Sequence, residues 1–474
     1  MLKKVALKWI DENTSYLIGV SDRLWDFPEL GLQEFKSSAL LIQELEKHGF
    51  DVESGVGGMP TAFVATYGEG KPVIGIMGEY DALSDLSQKL ATKKEPLVEG
   101  APGHGCSHNI HGISGMGAAI AVSKALEARG ETGTVKFFGC PAEETLVGKV
   151  FMVRDDAFNG VDAVYSHHPG SMNSAWLGSS NALNSVKFQF HGVASHAGGS
   201  PHRGRSALDA VELMNTGVNF MREHVVQEAR IHYIIEAGGS APNIVPAYAS
   251  SWYFIRAPER SQVEHIYAWI LKIAEGAALM TGTTYEYKFL TGGYNCLTLQ
   301  SMADLVVKNM REIGSPTYTE DELNFAKEIQ KTVSPDSVVE SLKSSNREDW
   351  RDLRGVVVDR SIPEPWGRGD VSGGSTDVAD VSWQAPTIEF STATWVLGIP
   401  GHSWQIVALG KSGVAHKSLI FAAKTMASCV LDTMTQPSLL KKMWEELEEA
   451  KHGEKYVSPL PPNLKPPTDQ FPQQ

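Results

Sequence analysis

Short runs that are apolar throughout alternate along this chain with longer runs of helical spacing, and that alternation limits the fold more than any other feature. VIGIMG at residues 73–78 is followed by a small-residue helix from about Ile113 to Arg129 that Gly130 closes, then by VKFFGC at 135–140, AVYS at 163–166 and APTIEF at 385–390. Strands apolar on both faces belong in a parallel sheet covered by helices on each side. The first 50 residues carry helical spacing broken at Pro28 within WDFPELGLQEF, which predicts two helices and an elbow. A helix around HKSLIFAAKTMASCVLDTM closes the core.

Around residue 184 the texture changes. VKFQFHGV and SSWYFIRAP alternate as half-buried strands do, each followed by a run of helical spacing, which predicts a strand-helix-strand-helix insert. The expected class is α/β, with a catalytic domain over 1–183 and 297–452 that has a mostly parallel, helix-covered sheet. An inserted α+β domain over 184–296 follows from the insert, and a Pro-rich tail over 453–474, with six prolines after Gly453, reads as extended rather than packed. Residues 316–370 are polar and mixed.

Composition excludes several classes. With 474 residues, 42% hydrophobic and 21% charged, the chain has ample material for a core. Its net charge of −14 argues against nucleic acid as a partner, because a nucleic-acid binder needs a basic face to displace counterions. Cys106, Cys140, Cys296 and Cys429 are too scattered for a disulfide framework and fit a reducing compartment. Asp11 and Glu12 interrupt the first apolar stretch, and no apolar run reaches 18 residues, so no leader and no membrane span is expected and the cytoplasm is the expected location.

In open parallel sheets, sites form beyond the carboxyl ends of the strands. Acids and imidazoles arrive there repeatedly: Glu79 and Asp81 after VIGIMG, Glu143 and Glu144 after VKFFGC, His167 and His168 after AVYS, and His402 after TIEFSTATWVLGIPG. GHGCSHN adds Cys106 and His108, two residues apart and therefore presented from an extended or loop segment before the helix. One thiolate, several imidazoles and several carboxylates suit borderline ions such as Zn²⁺ or Mn²⁺, and there are more donors than one tetrahedral ion needs, which suggests two. Spacing alone does not divide the paired glutamates into ligand and base.

WDFPEL, GKPVIGIMGEYDALSDLSQ, GHGCSHN, GCPAEE, HPG, SHAGGSPHRGRSALDAVELMNTGVNF, IRAPE, KIAEGAALMTGTT, GSTDVADVSW and HSWQIV run nearly end to end through the chain. At these motifs it resembles the aminoacylase/carboxypeptidase family of dinuclear metallo-amidohydrolases. The resemblance implies that Cys106, His108, Glu144, His168 and His402 bind two divalent ions, Mn²⁺ or Zn²⁺, and that Glu143 is the general base. His167 is then structural or supports the ligands from behind. The wider family has a histidine where Glu79 stands; the resemblance implies that the thiolate replaces it, leaving Glu79 and Asp81 as supporting residues. The insert resembles the family's lid and dimerisation domain, so His196 would reach a neighbouring subunit's site and stabilise the oxyanion, while Asn243 and Arg256 would hold the substrate carboxylate. A guanidinium suits that task on its own chemistry, since an acidic protein needs a local cation for an anionic acyl amino acid.

The implied activity is hydrolysis of an N-acyl amino acid, first among them an aryl-acyl glutamate such as p-aminobenzoyl-glutamate. Other aryl- or indole-acyl conjugates remain open, as does a role as the lid-supplying half of a two-subunit hydrolase, and with them a homodimer or a heterodimer with a related subunit. Two departures bear on substrate preference. Relatives carry glycines after the paired glutamates and inside the cysteine loop, where this chain has Thr145, Leu146, Val147 and Ser107.

Overall fold

The computed structural model describes residues 1–468. Six strands form the first sheet: β1 (Asp51–Ser54), β2 (Phe63–Glu69), β3 (Val73–Glu79), β4 (Gly133–Cys140), β5 (Ala163–His167) and β10 (Thr387–Phe390). Their order is β1-β2-β4-β3-β5-β10. β4, β3, β5 and β10 run parallel, and β2 and β1 continue the sheet antiparallel. The parallel strands are the four apolar runs, and their successive residues divide between two cores. Ile74, Ile76, Phe137 and Tyr165 pack under the long helices, while Met77, Phe138 and Val164 pack on the opposite face.

Helix His108–Arg129 lies directly on β3, and its glycines permit the approach. A Cβ on Gly112 would stand 2.7 Å from the carbonyl oxygen of Glu79, and one on Gly115 would stand 2.8 Å from that of Met77. This helix is buried almost throughout and packs against Gly413–Thr435, which is long and apolar enough to cross a membrane but is mostly buried in the protein. His108 opens the helix five residues before the expected start at Ile113, and that earlier start carries His108 and His111 onto β3.

The second sheet is antiparallel, in the order β7-β8-β6-β9. It comprises β6 (Ala182–His191), β7 (Arg230–Ala237), β8 (Tyr248–Ala257) and β9 (Thr284–Gly293), with helices Ala207–Met221 and Arg260–Thr281 packed together over it. The expected strand-helix-strand-helix insert therefore gains two strands. β7 is an edge strand that buries Ile231 and half-buries Tyr233 on one face but leaves the adjacent Ile234 and Ile235 both exposed, so its apolar residues lack the clean alternation that marks a half-buried strand.

Two further expectations are corrected. The first 50 residues hold three helices, Leu2–Glu12, Thr14–Trp25 and Phe35–Lys47. Asn13 ends the first by donating both its backbone and side-chain N–H groups to the carbonyl of Trp9, at 3.0 and 2.8 Å. The tail is extended but packed over its described part: Leu460 is buried, Pro466 lies against Gly58, and Arg154 donates to the carbonyl of Leu464. Residues 469–474 of the tail lie outside the described residues. The polar 316–370 segment carries helices Glu320–Gln330 and Pro335–Ser344.

The Tyr456 hydroxyl donates to buried Asp380 at 2.8 Å, and Asp380 also accepts from the backbone of Tyr294 at 3.1 Å. Tyr456→Phe leaves a buried carboxylate oxygen without its donor and is expected to cost about 1.5–3 kcal/mol. A urea midpoint equal to that of the parent would contradict the docked tail.

Candidate metal centre

The acids and imidazoles converge at the carboxyl ends of the parallel strands. β3 ends at Glu79 and delivers Asp81 two residues later; β4 ends at Cys140 and turns through Ala142 into the short helical turn Glu143–Thr145. β5 ends at His167, with His168 next, and the loop after β10 brings in His402. Four non-glycine residues beside these side chains hold left-handed backbone: Ser107 (φ 59°), Ala142 (φ 55°), Leu146 (φ 56°) and His402 (φ 50°). Strain of this kind is concentrated where side chains must be aimed. Ser107 and Leu146 both hold this left-handed conformation without being glycine. The Ser107 hydroxyl accepts from the indole of Trp395 at 2.8 Å.

Two groups of donor atoms share Cys106. In one, Cys106, His108 and His168 offer ligand atoms that all lie within 4.8 Å of one another; in the other, Cys106, Glu144 and His402 do the same. The Cys106 sulfur is 3.4 Å from His168 Nε2, and His402 Nε2 is 3.3 Å from Glu144 Oε2. Outer contacts orient the rings. His108 Nδ1 faces Asp81 Oδ1 at 2.8 Å and His168 Nδ1 faces the Pro169 carbonyl at 2.9 Å, which places the ring protons there and leaves each Nε2 lone pair for the centre. Asp81 is itself held by the backbone N–H of Glu144 at 3.0 Å.

Burial raises the Cys106 thiol pKa, but His168, His108 and His402 outweigh it and hold the group well below its usual range as a thiolate. Burial first, then the charge of Cys106, pushes Glu144 up to about 8. Glu143 is raised well above the carboxylate range by burial and by the charges of Glu79 and Asp377. The donors fit divalent ions on one further observation. His108 Nε2 and Glu144 Oε1 are buried with no hydrogen-bond partner among the described residues, a loss of roughly 1–3 kcal/mol each unless a cation satisfies them.

Behind the donors lies a second set of charges. Glu79, with its side chain fully buried, has Oε1 2.6 Å from Lys149 Nζ and Oε2 3.4 Å from both His108 Nε2 and His111 Nε2. Burial alone would raise its pKa, but His111, Lys149 and His108 pull it well below the usual value. His111, Lys149, Asp377 and Glu389 did not emerge from the sequence. His111 carried a readable signal, since it follows His108 by three residues and shares its helix face. Asp377 stood inside the GSTDVADVSW motif and Glu389 near the end of the APTIEF strand without being singled out, while Lys149 is isolated in the chain and had no signal. His167 turns away from the donors, between Ser114 Oγ at 2.9 Å and Thr392 Oγ1 at 2.8 Å.

His196, Asn243 and Arg256 lie on the antiparallel-sheet domain and make no hydrogen bond or ion pair to the five donors among the described residues. His196 is exposed, and its Nδ1 accepts from the backbone of Gly198 and Gly199 at 3.1 and 2.9 Å, so the neutral ring carries its proton on Nε2. The neighbouring Ala197 N–H donates to the Asn243 carbonyl at 3.0 Å. The guanidinium of Arg256 lies over Phe254 at 5.0 Å, and its buried Nε has no partner among the described residues.

Comparison with known proteins places this arrangement. The family model for the peptidase dimerisation domain matches residues 179–279. Over 456 residues, 94% of this chain and 95% of the relative, the chain is 41% identical to one of the subunits of p-aminobenzoyl-glutamate hydrolase of Escherichia coli. The chain belongs to the M20 family of metallopeptidases and amidohydrolases. It is also 27% identical to the Xaa-Arg dipeptidase of Mus musculus, over 94% of this chain and 92% of the relative. A dinuclear metal-binding M20 peptidase of Bacillus subtilis shares the fold with a TM-score of 0.53 at 18% identity, covering 90% of this chain and 99% of that one.

The strained turn after the paired glutamates gives a direct test. Leu146→Val puts a β-branched side chain in left-handed backbone and is expected to destabilise by about 1–3 kcal/mol, while Leu146→Gly relieves the backbone. Urea midpoints should therefore rank glycine above valine, and the reverse order would contradict the strain.

Proposed function

We propose that this M20 protein hydrolyses the amide bond of N-acyl amino acids, with p-aminobenzoyl-glutamate, cleaved to p-aminobenzoate and glutamate, as its foremost substrate. The observation that carries the reading is the pair of three-donor groups joined at Cys106, with the Glu143 carboxylate in a further group within 4.8 Å of Glu79 and His108. In this reading Cys106, His108, Glu144, His168 and His402 hold two divalent ions, Mn²⁺ or Zn²⁺. Such ions supply Lewis-acid polarisation of the scissile carbonyl and acidify water.

The remaining work falls to side chains. Glu143, in the carboxylate form that neighbouring cations would favour, takes the proton of the attacking water and returns it to the departing amine. His196, reaching from a neighbouring subunit, offers its Nε2–H to the oxyanion. Asn243 and Arg256 hold the substrate carboxylate, the latter by the paired N–H geometry that carboxylates accept. In this reading residues 184–296 act as the lid and dimerisation domain over a catalytic domain of 1–183 and 297–452. All four cysteines are free, which fits a reducing, cytoplasmic setting.

The bulk of Thr145, Leu146 and Val147 beside the base supports a second choice of acyl group, another aryl- or indole-acyl conjugate. A competition panel of N-acyl glutamates, aspartates and neutral amino acids distinguishes these substrates. The relative's designation as a single subunit of its hydrolase supports a heterodimer with a related chain as the alternative to a homodimer. Turnover by the purified chain alone would remove the accessory-subunit reading.

Glu143→Gln keeps the shape of the base without its basicity and is expected to lower kcat by about 10²–10⁴-fold. Elemental analysis should still find the parent's metal content; a near-parental rate would overturn the assignment. Removing divalent ions with a chelator is expected to abolish turnover, and Mn²⁺ or Zn²⁺ added back should restore it.

A further inference from the structure

Lys149 is a charged side chain with no solvent exposure, placed by a turn that admits little variation. It follows Gly148, where a Cβ would stand 1.8 Å from the carbonyl oxygen of Pro141 and so could not be accommodated. Its ammonium lies 2.6 Å from Glu79 Oε1 and 2.5 Å from Asp377 Oδ1, and all three side chains are fully buried. The backbone N–H of Lys149 also donates to Asp377 Oδ2 at 2.8 Å, so Asp377 grips the residue at both ends. Packing alone gives no reason for this arrangement, because an unpaired lysine is among the most unfavourable groups to bury and an apolar side chain would fill the volume.

The arrangement makes sense through Glu79. Its second oxygen, Oε2, stands 3.4 Å from His108 Nε2 and 3.4 Å from His111 Nε2. His111 Nδ1 accepts the backbone N–H of Glu79 at 3.0 Å, which puts the ring proton on Nε2, facing that same carboxylate. Glu79, His108 and Glu143 also offer atoms within 4.8 Å of one another, so the Glu79 carboxylate flanks both a donor imidazole and the carboxyl assigned as base. With its ammonium removed, nothing among the described contacts would fix Oε1, and the carboxylate would be free to rotate away from His111 or to crowd the lone pair of His108.

We propose that Lys149 is a positioning residue of the hydrolytic centre, locking Glu79 against Asp377 so that the Glu79 carboxylate keeps its place against the Nε2–H of His111 and beside His108 and Glu143. The chain of contacts runs from the segment after the lid insert, through Asp377 and Lys149, to the end of β3 and the first turn of the helix lying on it. Lys149 touches no reacting atom in this reading. The inference rests on the hydrolase reading above and deepens it by adding a residue that acts through another.

The full-length chain and its Lys149→Met variant are compared in kcat and KM on the acyl amino acid that the parent hydrolyses fastest. Zinc affinity is measured by competition with a chromophoric chelator, and melting temperature is recorded. Lys149→Met is expected to lose about 10- to 100-fold in kcat and in zinc affinity, with KM within about threefold of the parent, the range that partners behind a metal ligand command. Asp377→Asn, which keeps the shape of one anchor and drops its charge, should move kcat and affinity in the same direction by less. A folded Lys149→Met protein whose kcat and zinc affinity match the parent would overturn the proposal, even if its melting temperature fell, because that is the signature of a structural ion pair alone. Should Lys149→Met fail to fold, unchanged kcat and affinity in Asp377→Asn would overturn it equally. If the parent cleaves no acyl amino acid, the hydrolase reading fails by itself, and zinc affinity still decides the role of Lys149.

Discussion

A charge removed from water has to find its opposite within a few ångströms, and the centre of this protein is arranged around that need. Glu79 is the pivot. With its side chain fully buried, it meets the ammonium of Lys149 on one oxygen and two imidazoles on the other. Around it stand Asp81, Glu143, Glu144, Asp377 and Glu389, too many carboxylates for one lysine and a few histidines to balance. The surplus of negative charge, together with a thiol held as thiolate, is what makes the cluster a cation site. The unpaired nitrogen of His108 and the unpaired oxygen of Glu144 belong to the same account.

The fold brings these groups together by backbone contact as much as by side-chain choice. Glycines at 112 and 115 let a long buried helix lie on β3, so that His108 and His111 face the end of that strand. Left-handed backbone at Ser107, Ala142, Leu146 and His402 turns the connecting loops back over the same point. Residues of this kind are held against their own preference by the packing around them, and that packing extends to Trp395, whose indole anchors Ser107.

Much of the catalytic domain could be read from the order of residues, because strands buried on both faces leave continuous apolar runs and the site collects at their carboxyl ends. The antiparallel-sheet domain was read less well. β7 leaves the adjacent Ile234 and Ile235 both exposed and β9 begins among exposed residues, so neither shows the clean alternation that β6 and β8 do. The early break at Asn13 also went unread, because an asparagine that donates to the preceding turn looks the same in sequence as one on a helix surface. The tail misled for a related reason: proline excludes helix and sheet, but it does not prevent Tyr456 and Leu460 from docking.

By itself the sequence determined the parallel sheet and the inserted α+β unit, and it showed acids and imidazoles gathering at strand ends, because each depends on local periodicity or on residue type at a strand end. Tertiary structure alone decided that His167 faces Ser114 and Thr392 while His168 faces Cys106, although the two are adjacent in the chain. It alone brought Asp377 onto Lys149, 228 positions away, and Lys149 onto Glu79. The reason is that electrostatic pairing acts through space at a few ångströms, while sequence pattern reports only which face of an element is buried and not what waits on the other side.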